Sequence, residues 1–148
     1  MRRFLAFIFA VVFPGLIALF SINGLLQNSR YDQELGTGLY ILITVLLSGM
    51  ALLAWLVGLG ILHKRAARQS EYDADNRFAG QVLKYAGPVA LIPGIAIWLV
   101  GLMGTSNTHM DAAFWGYWLT LLGAMYHLLG RRIIAFERLA NRVSDSSP

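Results

Sequence analysis

The sequence predicts an all-α membrane protein with four transmembrane helices and both termini in the cytoplasm, on three observations. Residues 4–26, 38–62, 85–104 and 112–130 contain no Asp, Glu, Lys or Arg. Each stretch is close to or above the ~20 residues that a helix rising ~1.5 Å per residue needs to cross about 30 Å of hydrocarbon. Charged residues make up only 14% of the chain, against roughly a quarter in a soluble domain, while hydrophobic residues reach 57%. Finally, eleven of the twelve Lys and Arg residues fall on one side of the resulting zigzag, the pattern that orients membrane helices.

The first span, 4–26, follows Arg2 and Arg3. That opening resembles a signal peptide, but the apolar run is well beyond a ~7–15-residue signal core and no small-x-small cleavage site follows it, so it reads as an uncleaved anchor. A short outer loop near 27–37 carries Arg30, the one outlying cation, with Asp32 and Glu34. The second span, 38–62, presents Leu46, Leu47, Leu53 and Val57 as a lipid-facing surface. It leads into a polar cytoplasmic loop, 63–83, with Lys64, Arg65, Arg68 and Arg77. Lys84 precedes the third span, 85–104, which contains Pro88 and Pro93. After the outer loop 105–111, with His109 and Asp111, the fourth span occupies 112–130. The tail 131–148 sets Arg131, Arg132, Arg138 and Arg142 among apolar Ile133, Phe136, Ala140 and Val143, the spacing of an amphipathic helix at the lipid headgroups. Both outer loops are too short to fold alone, so residues 1–148 form one integral membrane domain.

The two halves suggest a tandem helical-hairpin repeat. Pro14-Gly15 in the first span corresponds to Pro93-Gly94 in the third, and Thr44 in the second to Thr120 in the fourth. Both hairpins start inside, so the repeat is parallel.

Helix association in lipid depends on close packing of small residues. Residues of this type recur every fourth position, which keeps them on one helix face. The expected packing face comprises Ala6, Ala10, Pro14 and Ala18 in the first helix, and Ala54 and Gly58 in the second. The third contributes Ala86, Ala90 and Gly94, and the fourth Ala112, Gly116, Thr120 and Ala124. Tyr31, Tyr40, Phe114, Trp115, Tyr117 and Trp118 crowd the outer boundary and read as an interfacial aromatic belt.

Reactive groups are scarce. The absence of intramembrane carboxylates argues against a proton-driven pump and a glutamate-dependent multidrug exporter. With no cysteine there is no disulfide, thiolate metal site or thiol redox chemistry. The net charge of +4 sits where segments leave the membrane, which argues against nucleic acid as a partner. His127 is the one polar candidate deep in a span, and hydrogen bonding to a neighbouring helix is its ordinary use. His63 ends the second span at a different depth, a poor match for paired haem ligation. Asn23 and Thr44 with Pro14 and Pro93 are the candidates for a pathway or hinge, since mid-helix prolines free carbonyls. His109 and Asp111 with Asp32 and Glu34 have no spacing typical of a metal site.

From these features the expected function is non-enzymatic. The sequence describes a small bacterial inner-membrane protein that packs against a membrane-protein partner, as an accessory subunit, assembly factor, regulator or immunity-type protein, or that forms a homo-oligomer. No cofactor is expected, and its other partner is the lipid bilayer. The alternatives are an oligomeric channel or facilitator for a small solute or ion, and an enzyme using His63 and His127.

Overall fold

The computed structural model describes residues 2–31, 37–66, 74–104 and 107–145, which form four helices and, among the described residues, no strand. Helix α1 is a continuous rod in three parts, α-helical at Arg2–Phe7, π-helical at Ile8–Val12 and α-helical again at Phe13–Tyr31. Helices α2 (Thr37–Ala66), α3 (Ala74–Leu102) and α4 (Asn107–Asp145) follow. Short links make consecutive helices antiparallel.

Three helices are long and apolar enough to cross a membrane, at Leu5–Asn23, Ile41–His63 and Phe78–Leu102. The fourth expected span, 112–130 on α4, is not among them. Trp115, Tyr117, Trp118, Thr120, Tyr126 and His127 dilute its hydropathy. Its place in the fold explains why this is tolerated. Helix α4 packs against α1, α2 and α3, and it buries Trp118, Met125 and Leu129. The most polar helix is thus the central one, screened by the other three.

The largest contact joins α3 to α4. Glycines recur every seventh residue on both helices, as Gly80, Gly87, Gly94 and Gly101 on α3 and Gly116, Gly123 and Gly130 on α4. Seven residues are close to two turns of about 3.6, so each set stays on one face. The glycines meet the opposite main chain directly. A β-carbon added to Gly87 would lie 2.6 Å from the His127 nitrogen, and one on Gly94 would lie 2.7 Å from that of Thr120. Gly101 abuts Ala113, Gly116 abuts Trp98, Gly123 abuts Leu91 and Gly130 abuts Lys84 in the same way. Glycine alternates between the two helices from layer to layer, always opposite a residue that has a side chain. This is the alternating three-and-four spacing of an antiparallel coiled-coil seam, drawn in by the missing side chains.

On the other side, α1 crosses α2 where Ala10 meets Gly58; a β-carbon there would lie 2.6 Å from that of Ala10. Ala6, Ala10, Pro14 and Ala18 are all buried on this face. Two apolar cores result. One gathers Ala18, Ile22, Ala51 and Trp118, and the other gathers Ala10, Leu129 and Ile133 with Trp55, Leu59 and Leu83.

Several sequence expectations change. Ala86 is exposed, and Ala54, Ala90, Ala112, Thr120 and Ala124 are half-buried, so on α3 and α4 the seam follows the seven-residue glycine pattern rather than the four-residue one. Tyr117 and Trp118 belong to the core, with Trp118 only 1% exposed, while Trp115 points outward. Tyr31 and Tyr40 lie outside the residues whose side chains are described. Leu46, Leu53 and Val57 are exposed, but Leu47 turns inward against the core. The two Pro-Gly pairs have unlike surroundings: Pro14 is buried behind a π-helical turn, whereas Pro93 is exposed on an uninterrupted α-helix. Finally, α4 runs unbroken past Gly130, with Ile133 buried over Gly80 and the Phe136 ring tilted against the His63 ring at 5.3 Å between centres. Ile133 and Phe136 of the tail's apolar side are therefore used by the bundle itself, while the side chains of Ala140 and Val143 lie outside those described.

The seam makes a direct prediction. Gly123→Ala places a methyl group against the Leu91 nitrogen and the Gly87 carbonyl, so it should lower stability by about 1–3 kcal/mol. Gly49→Ala, with nothing within 4 Å, should change it by less than ~0.5 kcal/mol. Reversible unfolding in detergent micelles compares the two; equal effects would show that the seam does not limit the approach of α3 and α4.

Candidate functional site

The polar side chains inside the bundle converge on α4. Proline explains where two of them go. Pro88 has no N–H, so the Lys84 carbonyl loses the donor that a regular helix supplies four residues on. His127 fills the gap, with Nδ1 2.9 Å from the Lys84 oxygen. A carbonyl only accepts, so Nδ1 carries the proton. The adjacent Gly87 makes the approach feasible, since a β-carbon there would sit 2.6 Å from that of His127. Glycine opens the space and proline leaves the acceptor.

The neighbouring residue, Tyr126, bonds a proline-distorted turn on another helix. Pro14 offers no N–H to the Ala10 carbonyl, and its ring crowds that oxygen. Helix α1 responds by widening into the π-helical turn just before it, where the Phe13 N–H bonds the Ile8 carbonyl five residues back. The Tyr126 hydroxyl donates to the Val11 carbonyl in this distorted turn at 2.9 Å. Gly15 supplies the clearance; a β-carbon there would lie 3.3 Å from the Tyr126 oxygen. Two consecutive residues of α4 thereby brace proline-bearing turns on two different helices.

A third link ties α4 to α2. Ser48 donates to the Thr44 carbonyl at 2.6 Å, which uses its single proton. The contact of 2.8 Å between Ser48 and Tyr117 must then have the tyrosine as donor. Tyr117 is held by edge contacts from Trp98 on α3 and Trp118 beside it, at 6.1 and 5.7 Å between ring centres. Thr120 bonds back to the Gly116 carbonyl of its own helix at 2.7 Å. Among the described residues, buried Ser21 Oγ, Trp55 Nε1 and Trp118 Nε1 have no hydrogen-bond partner.

The candidates singled out in the sequence are thus dispersed. His127 bonds α3, while His63 is exposed and packs on Phe136, so the two histidines serve different contacts. Asn23 is exposed on α1, and Thr44 is half-buried on α2. His109 lies against Gly104 near the α3–α4 turn, with Asp111 half-buried one residue beyond Met110. Asp32 and Glu34 lie outside the described residues. Among the described residues no three His, Asp or Glu side chains are grouped to hold a metal ion. Sequence reasoning missed Tyr126 and Tyr117. For Tyr126 the available signal was Pro14 beside Gly15, which disturbs the helix and leaves space to reach it; no such pair marks Tyr117, whose partner Ser48 lies on a helix without proline.

What this arrangement does chemically is donate protons into hydrogen bonds that hold helices together. Among the described residues no carboxylate contacts Tyr126 or His127, the partner either would need to work as an activated acid or base. Compared with family models, curated proteins and solved structures, the chain matches none.

A double-mutant cycle tests the brace. His127→Leu should cost about 1 kcal/mol of stability in micelles, because it leaves the Lys84 carbonyl unpaired. In a Pro88→Ala background the new N–H at position 88 serves that carbonyl, so the same change should cost clearly less. Identical costs in both backgrounds would mean that the bond does not serve the proline gap.

Proposed function

We propose that this chain is a four-span protein of the bacterial inner (plasma) membrane, with both termini in the cytoplasm. We further propose that it works without chemistry of its own, by packing against a partner membrane protein as an accessory subunit, assembly factor, regulator or immunity-type protein. The one-sided distribution of Lys and Arg supports the orientation. The shielding of α4 by three apolar helices supports its counting as a span.

The outer face of α3 carries the partner reading. Val82, Ala86, Val89, Pro93, Ala96 and Val100 are all exposed, at alternating intervals of four and three residues. That is the spacing of the glycine seam on the opposite side of the same helix. In its middle, Pro93 deprives the Val89 carbonyl of its ordinary donor, and Val89 is 74% exposed. Among the described residues no side chain reaches this carbonyl. An unpaired carbonyl in hydrocarbon costs several kcal/mol. The other proline gap of α3 is capped from α4, and a donor on a partner helix would cap this one. None of the six face residues carries a side-chain donor, so a symmetric pairing of two α3 helices leaves the carbonyl bare. The reading therefore favours a different protein, one offering a hydroxyl or amide side chain from a transmembrane helix.

The alternative, an oligomeric channel or facilitator, draws on the buried and unpartnered Ser21 and Trp118 side chains near the Asn23 end of α1. The readings separate experimentally. A photo-crosslinking residue at Val89 or Ala96 should give one discrete adduct with another protein in cells, while one at Leu53 on α2 should not. Solute flux through the purified protein, lost on Asn23→Leu or Thr44→Leu, would overturn the partner reading in favour of the channel. A carboxyl-terminal fluorescent reporter should be active in the cytoplasm, and an active external phosphatase fusion at the same point would reverse the orientation.

A further inference from the structure

We infer that Lys84 and Arg131 form a binding site for the phosphate group of an anionic phospholipid, at the end of the α3–α4 pair where the uncharged stretches 85–104 and 112–130 stop. This rests on the membrane reading above. Helix register brings the two residues to one layer of the α3–α4 contact. The Lys84 main chain abuts Gly130, and Arg131 is the next residue along α4. Lys84 is half-buried and its position is fixed, because its carbonyl is bonded by His127 and its ammonium lies 5.4 Å from the centre of the Tyr85 ring. Arg131 is exposed. Among the described residues no carboxylate pairs with Lys84, Arg131, Arg132 or Arg138.

Orienting a helix needs cations near its end, but it does not need two of them on adjacent helices at a glycine contact with no carboxylate paired to them among the described residues. An anion reached by both side chains would be held by two positive charges. A phosphodiester suits the pair, since guanidinium and ammonium groups both donate charge-assisted hydrogen bonds to its oxygens. The surroundings select a lipid rather than a free ion. Tyr85 is 68% exposed and offers the amphipathic ring typical of the headgroup region. Leu128, one turn before Arg131, is also exposed, as are Val82 and Val89 on α3, so apolar surface for acyl chains adjoins the charges. Basic sites between helices on the cytoplasmic side are the ordinary setting for anionic headgroups.

The test is native mass spectrometry of the purified full-length protein, titrated with phosphatidylglycerol or phosphatidylcholine in mild detergent. Wild type should retain phosphatidylglycerol at least tenfold better, and excess inorganic phosphate should not displace it. Lys84→Gln with Arg131→Gln should abolish the preference. Arg132→Gln removes one charge at the same depth from another side of α4 and should change retention less than threefold. The charge-conserving pair Lys84→Arg and Arg131→Lys should restore the preference, which separates the site from a folding defect. Equal retention of the two lipids by wild type, or a Gln pair that keeps its preference, would overturn the inference. Displacement by phosphate would replace the lipid with a free anion and overturn it too. Alkaline extraction of membranes tests the underlying reading separately: a chain that stays with the membrane but shows no lipid preference sinks the site alone, whereas a chain that is released sinks both.

Discussion

Main-chain contact between α3 and α4 is the constraint on which the remaining structure depends. Seven glycines remove the side chains that would otherwise hold two helices apart. Backbone then lies against backbone, and every short polar reach across the pair becomes geometrically feasible. His127 meets the Lys84 carbonyl only because Gly87 carries no β-carbon. The same layers hold Lys84 beside Gly130 and Trp98 beside Gly116, which places the basic end and the aromatic contact to Tyr117. A seam of this kind gains its stability from dispersion and close approach, the terms left to a protein when water does not drive its helices together.

Proline and glycine act here as a pair. Proline alone in a helix leaves a carbonyl without a donor, a deficit that an apolar interior does not forgive. Glycine beside it lets a donor from another helix come close. At Gly87-Pro88 the donor is an imidazole, and at Pro14-Gly15 it is a phenol reaching a π-helical turn. Both donors stand next to one another on α4, so that helix ties α1 and α3 into one body while Tyr117 ties in α2. This accounts for the composition of α4. It is the least apolar helix because it holds the cross-links, and it tolerates them because the others surround it.

The proposed role follows from what is left over. Polar groups inside the bundle go largely into holding helices, and the outer side of α3 keeps both an even, small-residue profile and a proline gap that no side chain among the described residues fills. A helix surface satisfied on one side by α4 and open on the other is the arrangement expected of a subunit that joins a larger assembly. The paired cations at the end of the same two helices would hold that surface at a defined depth.

The sequence by itself determined how many helices there are and where their apolar stretches lie, though not that α4 continues unbroken to Asp145. Those properties follow from chain length, the absence of charge and the placement of Lys and Arg, all of which are local. It also marked the buried stripe of α1, because Ala6, Ala10, Pro14 and Ala18 alternate with much larger residues. On α3 it pointed to Ala86, which lies outside, and it passed over the seven-residue glycine rhythm. Tyr117 and Trp118 read as boundary residues although they fill the core. Only the tertiary structure decided these facings. A helix that is apolar all round carries no polar side to point away from its neighbours, so which face is buried depends on what stands opposite.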